Sequence, residues 1–135
     1  MKQFDAKSRY ALLAALDLAA HYGQGGPAKV QEIAARTGAP AQYLVQILLL
    51  LKRAALVASK RGARGGYWLT RPPEMISAAQ VLSAVRAGRG RRSGPPPRNG
   101  HERALGSLWQ KAERSRHELL AQTSLAELLA AGGDD

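Results

Sequence analysis

The chain is 135 residues long and 45% apolar, which is one ordinary domain with material for a modest core and excludes wholesale disorder. Twenty Lys and Arg stand against ten Asp and Glu, a formal net charge of +10 that favours a polyanionic partner. Cysteine is absent, which excludes a disulfide scaffold, a thiolate nucleophile and any zinc or iron–sulfur site built on cysteine alone.

The longest apolar run, residues 44–51, is too short to span a bilayer. Lys2, Asp5, Lys7 and Arg9, followed by a helix that contains Asp17, do not read as a signal peptide. Together these features predict a soluble, cytoplasmic, nucleoid-associated domain with no membrane partner.

A first helix is predicted over residues 5–22, with Tyr10, Leu13, Leu16 and Ala20 spaced for one buried face. Gly23, Gly25, Gly26 and Pro27 end it and form a loop. A short helix follows over residues 30–37, with Val30, Ile33 and Ala34 inward and Gly38 as its left-handed stop. Pro40 occupies the position favoured at a first helical residue and opens a helix to about residue 54. Two helices so close around a glycine make a helix-turn-helix pattern, although many α-hairpins share it.

Next come two β-prone runs, Leu56-Val57-Ala58-Ser59-Lys60 and Tyr67-Trp68-Leu69-Thr70, joined by Arg61-Gly62-Ala63-Arg64-Gly65-Gly66. These predict a β-hairpin with a basic, glycine-rich tip, a wing over residues 56–70. A phosphate-cradling loop of the nucleotide-binding kind is the lesser reading of these glycines. No Gly-Lys-Ser/Thr ending follows them, and the run leads into a strand.

Pro72-Pro73 separate the hairpin from a helix that begins on a Ser77/Gln80 capping box and ends at Gly88. Residues 88–100 (GRGRRSGPPPRNG) lack apolar periodicity and read as a mobile basic loop. A long helix over residues 101–121 carries Leu105, Leu108, Ala112, Ser115 and Leu119 at spacings of three and four, a stripe suited to close helix packing. Ser124 with Glu127 caps a short final helix through Leu125, Leu128 and Leu129, and residues 132–135 read as a frayed tail. The fold class is mainly α with a small β-hairpin wing: a winged helix-turn-helix over residues 1–88, a basic loop over 89–100, and a dimerisation helix with a short last helix over 101–131.

The charge is segregated along the chain. Four basic and three acidic groups precede residue 33, twelve and one fall within residues 33–101, and four and six follow. Between residues 33 and 73 there is no acid, while Arg36, Lys52, Arg53, Lys60, Arg61, Arg64 and Arg71 are present. Such a stretch is a footprint for phosphates, the alternative being a solvated basic face.

In a winged helix the second helix of the pair enters the major groove and the wing reaches phosphates or the minor groove. Gln42, Tyr43 and Gln46 are the polar residues on that helix ahead of Lys52. Gln bonds adenine bidentately, Tyr meets a phosphate or a thymine methyl, and positions 42 and 46 share one helix face. The other reading of the glutamines is an ordinary solvent face. Leu44, Ile47, Leu48 and Leu51 form the core face, while Leu49 and Leu50 widen it toward another element or subunit. Arg61 and Arg64 at the wing tip suit backbone or narrow-groove contact, and Lys60, Lys7 and Arg9 add phosphate contacts. Arg89, Arg91, Arg92 and Arg98 read as mostly solvated, with non-specific DNA affinity as a secondary role.

Catalysis has little support. His21, His101 and His117 are far apart without acids at a metal-ligand spacing, and no nucleophile elbow is present.

These residues resemble the IscR-type, or Rrf2, family of winged-helix transcription regulators. The resemblance rests on Lys7-Ser8-Arg9-Tyr10-Ala11, Leu16-Asp17-Leu18-Ala19 and Ile33-Ala34-Ala35-Arg36. It continues through Tyr43-Leu44, Gln46-Ile47-Leu48, Leu56-Val57 and Arg61-Gly62-x-x-Gly65-Gly66-Tyr67-x-Leu69, then Trp109 and Thr123-Ser124-Leu125-Ala126-Glu127-Leu128-Leu129. It implies a homodimer whose long helices cross between subunits, with Leu105, Leu108, Trp109, Ala112 and Leu119 at the interface. It also implies a palindromic promoter site, usually repressed. The departures are as informative. Many members hold an iron–sulfur cluster on three cysteines in the loop before the long helix, and this chain has none there. A histidine used by some members is replaced near Gly106. The cluster is therefore not carried over, and no cofactor is expected. Val45 stands where many members have Glu, and Ala39 replaces a Ser/Thr cap, a loss of about 1 kcal/mol.

The expectation is a sequence-specific DNA-binding regulator acting as a homodimer. The rival readings are an architectural DNA-binding protein and an interaction subunit that has lost DNA binding. Its signal, whether small molecule, protein partner or abundance, is left open.

Overall fold

The computed structural model describes residues 4–24, 26–86 and 95–132. The helix end expected at Gly88, the loop arginines Arg89, Arg91 and Arg92, and the tail beyond Gly132 lie outside the described residues. The elements run α1 (Ala6–Ala20), α2 (Val30–Thr37), α3 (Ala41–Arg53), β1 (Val57–Lys60), β2 (Gly66–Leu69), a 3-10 turn (Pro73–Met75), α4 (Ala78–Arg86), α5 (Gly100–Gln122) and α6 (Leu125–Gly132). This is the mainly helical winged fold read from the sequence.

Local signals set most of the boundaries. Asp5 caps α1 by accepting from the Ser8 N–H at 2.7 Å. Gly38 ends α2 at φ +78°, where a side chain would strain the backbone. Ser77 and Gln80 form a reciprocal capping box on α4, at 2.9 and 3.1 Å. Asn99 caps α5, accepting from Glu102 N–H at 2.9 Å, while Glu102 accepts from the Arg98 N–H at 2.7 Å.

Two expectations need correction. Pro40 is the N-cap of α3 rather than its first helical residue, because its ψ of 132° keeps it extended while its carbonyl accepts from Leu44 N–H. Ala39 therefore does not hold the cap position; its side chain is buried in the core. The face assigned to α1 is also different. Ser8, Ala11, Leu12, Ala14, Ala15, Leu18 and Ala19 are buried, whereas Tyr10, Leu13 and Leu16 are half-buried and Ala20 is exposed. The reason is that α1 is packed by α2, α3, α4 and α6 together. Small side chains let several helices close around it, and size-weighted periodicity undervalues alanine.

The core joins α1 to Ile33 of α2, to Leu44, Ile47, Leu48 and Leu51 of α3, and to Val81 and Val85 of α4. Leu125 of α6 is fully buried among them, and its N–H donates to the Ile76 carbonyl at 2.9 Å. The last helix is thus packed into the winged-helix core. Between α3 and β1 the chain turns through Ala55 at φ +63°, the sole non-glycine residue with positive φ among those described. An alanine there carries steric strain that a glycine lacks. Ala55→Gly is expected to raise stability by about 1 kcal/mol in chemical denaturation.

Candidate nucleic-acid interface

The exposed side of α3 is built on the turn that Gly38 and Pro40 impose. Leu44, Ile47, Leu48 and Leu51 are buried, so the remaining arc points away from the core. Gln42 and Gln46 are both exposed on it. Val45, 50% exposed, and Leu49, 46% exposed, lie in the same row. Leu49, expected against another element or subunit, and Val45 are each three residues from a glutamine, a spacing that signals a shared helix face. Leu49 is therefore not packed within the described chain, whereas Leu50 is half-buried against the core.

Tyr43 is half-buried rather than free. Its ring meets Tyr10 of α1 edge-on, with centroids 5.5 Å apart, and Arg9 lies 5.9 Å over the Tyr10 ring. The N-terminal parts of α1 and α3 are thereby joined, bringing exposed Arg9 and half-buried Lys7 to the same end of the domain as Gln42. At the other end of α3, Lys52 donates to Ser59 Oγ at 2.8 Å and ties the helix to β1.

The wing pairs Val57 with Leu69, Ala58 with Trp68, Ser59 with Tyr67 and Lys60 with Gly66. Val57 and Leu69 turn into the core. A third strand-like segment was not anticipated: Tyr67 exchanges both backbone hydrogen bonds with Ala28, at 2.9 and 2.7 Å. The glycines are steric requirements here. A Cβ on Gly65 would overlap the Lys60 carbonyl, and one on Gly66, at φ +145°, would lie 2.5 Å from the Ala28 carbonyl oxygen.

Lys60, Arg61 and Arg64 project from this wing, exposed and without a carboxylate partner among the described residues. Arg36 departs from the footprint expected for it. It is held by Asp17 of α1 through two hydrogen bonds, Nε to Oδ1 at 2.8 Å and an NH2 nitrogen to Oδ2 at 3.0 Å. The bond to Asp17 raises the pKa of Arg36, and its charge is spent on fixing α2 against α1. Sequence neighbours gave no warning of this, because the acid lies nineteen residues earlier.

The expected dimerisation residues fall on α5, of which no residue is buried. Leu105, Leu108, Trp109 and Leu119 are 63–68% exposed, and Ala112 and Ser115 lie exposed between them.

Helix-turn-helix, basic wing and long outlying helix together define a winged-helix transcription regulator. The family profile described as Rrf2, iron-dependent transcriptional regulator, matches residues 4–131, and the chain belongs to that family. A Synechocystis protein named as an HTH-type transcriptional regulator is 36% identical over 128 residues, covering 90% of this chain and 84% of the relative. The regulator IscR of Sodalis glossinidius is 38% identical over 128 residues, covering 93% and 77%. Among solved structures, T. potens IscR superposes with a TM-score of 0.79 at 33% identity, covering 97% of this chain and 88% of that one. CymR, the global cysteine regulator of B. subtilis, gives 0.81 at 29% identity, covering 97% and 98%. The family and these neighbours are DNA-binding regulators rather than enzymes.

The family description implies iron, and the donor set here does not fit a thiolate-held cluster. The chain has no cysteine, residues 88–100 carry no Cys, His, Asp or Glu, and no three such side chains converge among the described residues. The reading below is therefore derived without a metal. No helix among the described residues is long and apolar enough to cross a membrane.

Proposed function

We propose that this chain is a homodimeric, sequence-specific transcriptional regulator, acting as a repressor on a palindromic promoter site. In this reading each α3 enters the major groove of one half-site, the two half-sites lying about one helical turn apart. The observation that carries the reading is the pairing of two surfaces. Gln42 and Gln46 are exposed on α3, and Lys60, Arg61 and Arg64 are exposed without carboxylate partners on the adjoining wing. The glutamines supply donor and acceptor patterns that distinguish bases, and exposed Val45 and Leu49 supply apolar contact to thymine methyls. Lys7, Arg9 and the wing cations supply phosphate contacts, which give affinity without sequence preference. Tyr43, whose ring meets Tyr10 edge-on, reaches a phosphate or a thymine methyl from the start of the helix in this reading.

Two substitutions separate the roles. Gln46→Ala is expected to weaken the preferred site by about 1–3 kcal/mol and leave random DNA nearly unchanged. Arg61→Ala is expected to weaken both DNAs and flatten the salt dependence by about one unit of slope. Fluorescence anisotropy at several salt concentrations reads both. Equal losses on both DNAs for Gln46→Ala would remove the specificity assignment and favour an architectural DNA-binding protein.

A further inference from the structure

The C-terminal end of α1, residues that follow it and β2 line an open cleft of about 620 Å³, within the range of small-molecule sites. Leu18 and Leu69, both buried, line its apolar part. Tyr22 and Trp68 also line it and expose 41% and 38% of their surface, a large share for aromatic side chains. Lys60 and Arg64 line the same cleft; among the described residues no Asp or Glu lines it, and neither cation has a carboxylate partner.

Aromatic walls with cations and no acid form a site whose chemistry is complementary to a planar ring bearing a negative charge. We propose that this cleft binds a small aromatic carboxylate, its ring against Tyr22 and Trp68 and its carboxylate on Arg64 and Lys60. Those two cations are also wing residues assigned to DNA phosphates. On the DNA-binding reading above, the bound anion neutralises them and releases the wing from DNA, making the cleft an effector site.

The test starts with the intact free protein, so that it does not depend on DNA. Phenylacetate, 4-hydroxybenzoate and indole-3-acetate are titrated by calorimetry beside their uncharged amides. At least one carboxylate is expected to saturate below about 1 mM, with its amide at least about tenfold weaker. Trp68→Ala or Tyr22→Ala is expected to weaken that carboxylate by about tenfold, and either loss supports the assignment. No saturation by any of the three up to about 10 mM, or unchanged binding in both variants, overturns it and leaves the cations to DNA alone. Binding that falls as protein concentration rises would give the cleft to a second copy of the chain and overturn it equally. A second arm repeats the DNA titration with the cleft filled. A salt slope reduced by up to about two units supports the effector role, and an unchanged slope overturns that role. Carboxylate binding by a protein that shows no DNA affinity would sustain the cleft assignment while the DNA-binding reading fails.

Discussion

On the proposed homodimer, Leu108→Arg is expected to give monomers and to abolish tight binding to a palindromic site. The 23 residues of α5 extend about 35 Å, and none of them is buried. A helix of that length gains most of its stability in a protein from packing an apolar face, and α5 exposes Leu105, Leu108, Trp109 and Leu119. In a two-fold dimer each substitution occurs twice at one interface, so two guanidinium groups lose water without a partner. That cost is several kcal/mol, more than a modest interface tolerates. Loss of the dimer uncouples the two half-sites, which lowers affinity for the palindrome by about 10²–10⁴. Sedimentation velocity and anisotropy on the same preparation measure the two effects. A Leu108→Arg protein that sediments as an intact dimer would place the interface elsewhere.

Gly66→Ala is expected to cost about 3–4 kcal/mol of folding stability. At φ +145° an alanine is strained, and its Cβ would lie 2.5 Å from the Ala28 carbonyl oxygen and 2.7 Å from its carbon. Backbone atoms cannot yield as a side-chain tip does, so the pair of hydrogen bonds between Ala28 and Tyr67 must open. Gly62, at φ +109° with open space around its Cβ direction, isolates the conformational part. Gly62→Ala is expected to cost about 1–2 kcal/mol in the same urea denaturation series. Equal losses at the two positions would show that contact with Ala28 contributes nothing.

The winged-helix order was legible because its signals are local. Gly38, Pro40, the Ser77/Gln80 box and the glycine-rich wing tip each act within a few residues, and helix and strand limits followed them closely. What was not legible depends on distant partners. The buried face of α1 is set by four helices packed around alanines, which hydrophobic spacing alone reads as filler. The pairing of Arg36 with Asp17 and the bridge from Ala28 to Tyr67 join segments 19 and 39 residues apart, so no local pattern announces them. The candidate interface divides in the same way. Gln42, Gln46 and the wing arginines stand out by residue type, whereas exposed Val45 and Leu49 resemble core leucines until the helix is seen against its neighbours. The edge-on contact of Tyr10 with Tyr43 links two helices that the sequence presents separately.

The claim that this chain reads DNA sequence is tested most directly by selecting bound fragments from the sheared source genome. Excess competitor DNA is present at physiological salt, and the recovered fragments are sequenced. A sequence-reading homodimer enriches a few promoter fragments that share an inverted repeat with half-sites about one helical turn apart. Uniform recovery across the genome, at the level of the competitor, would contradict it.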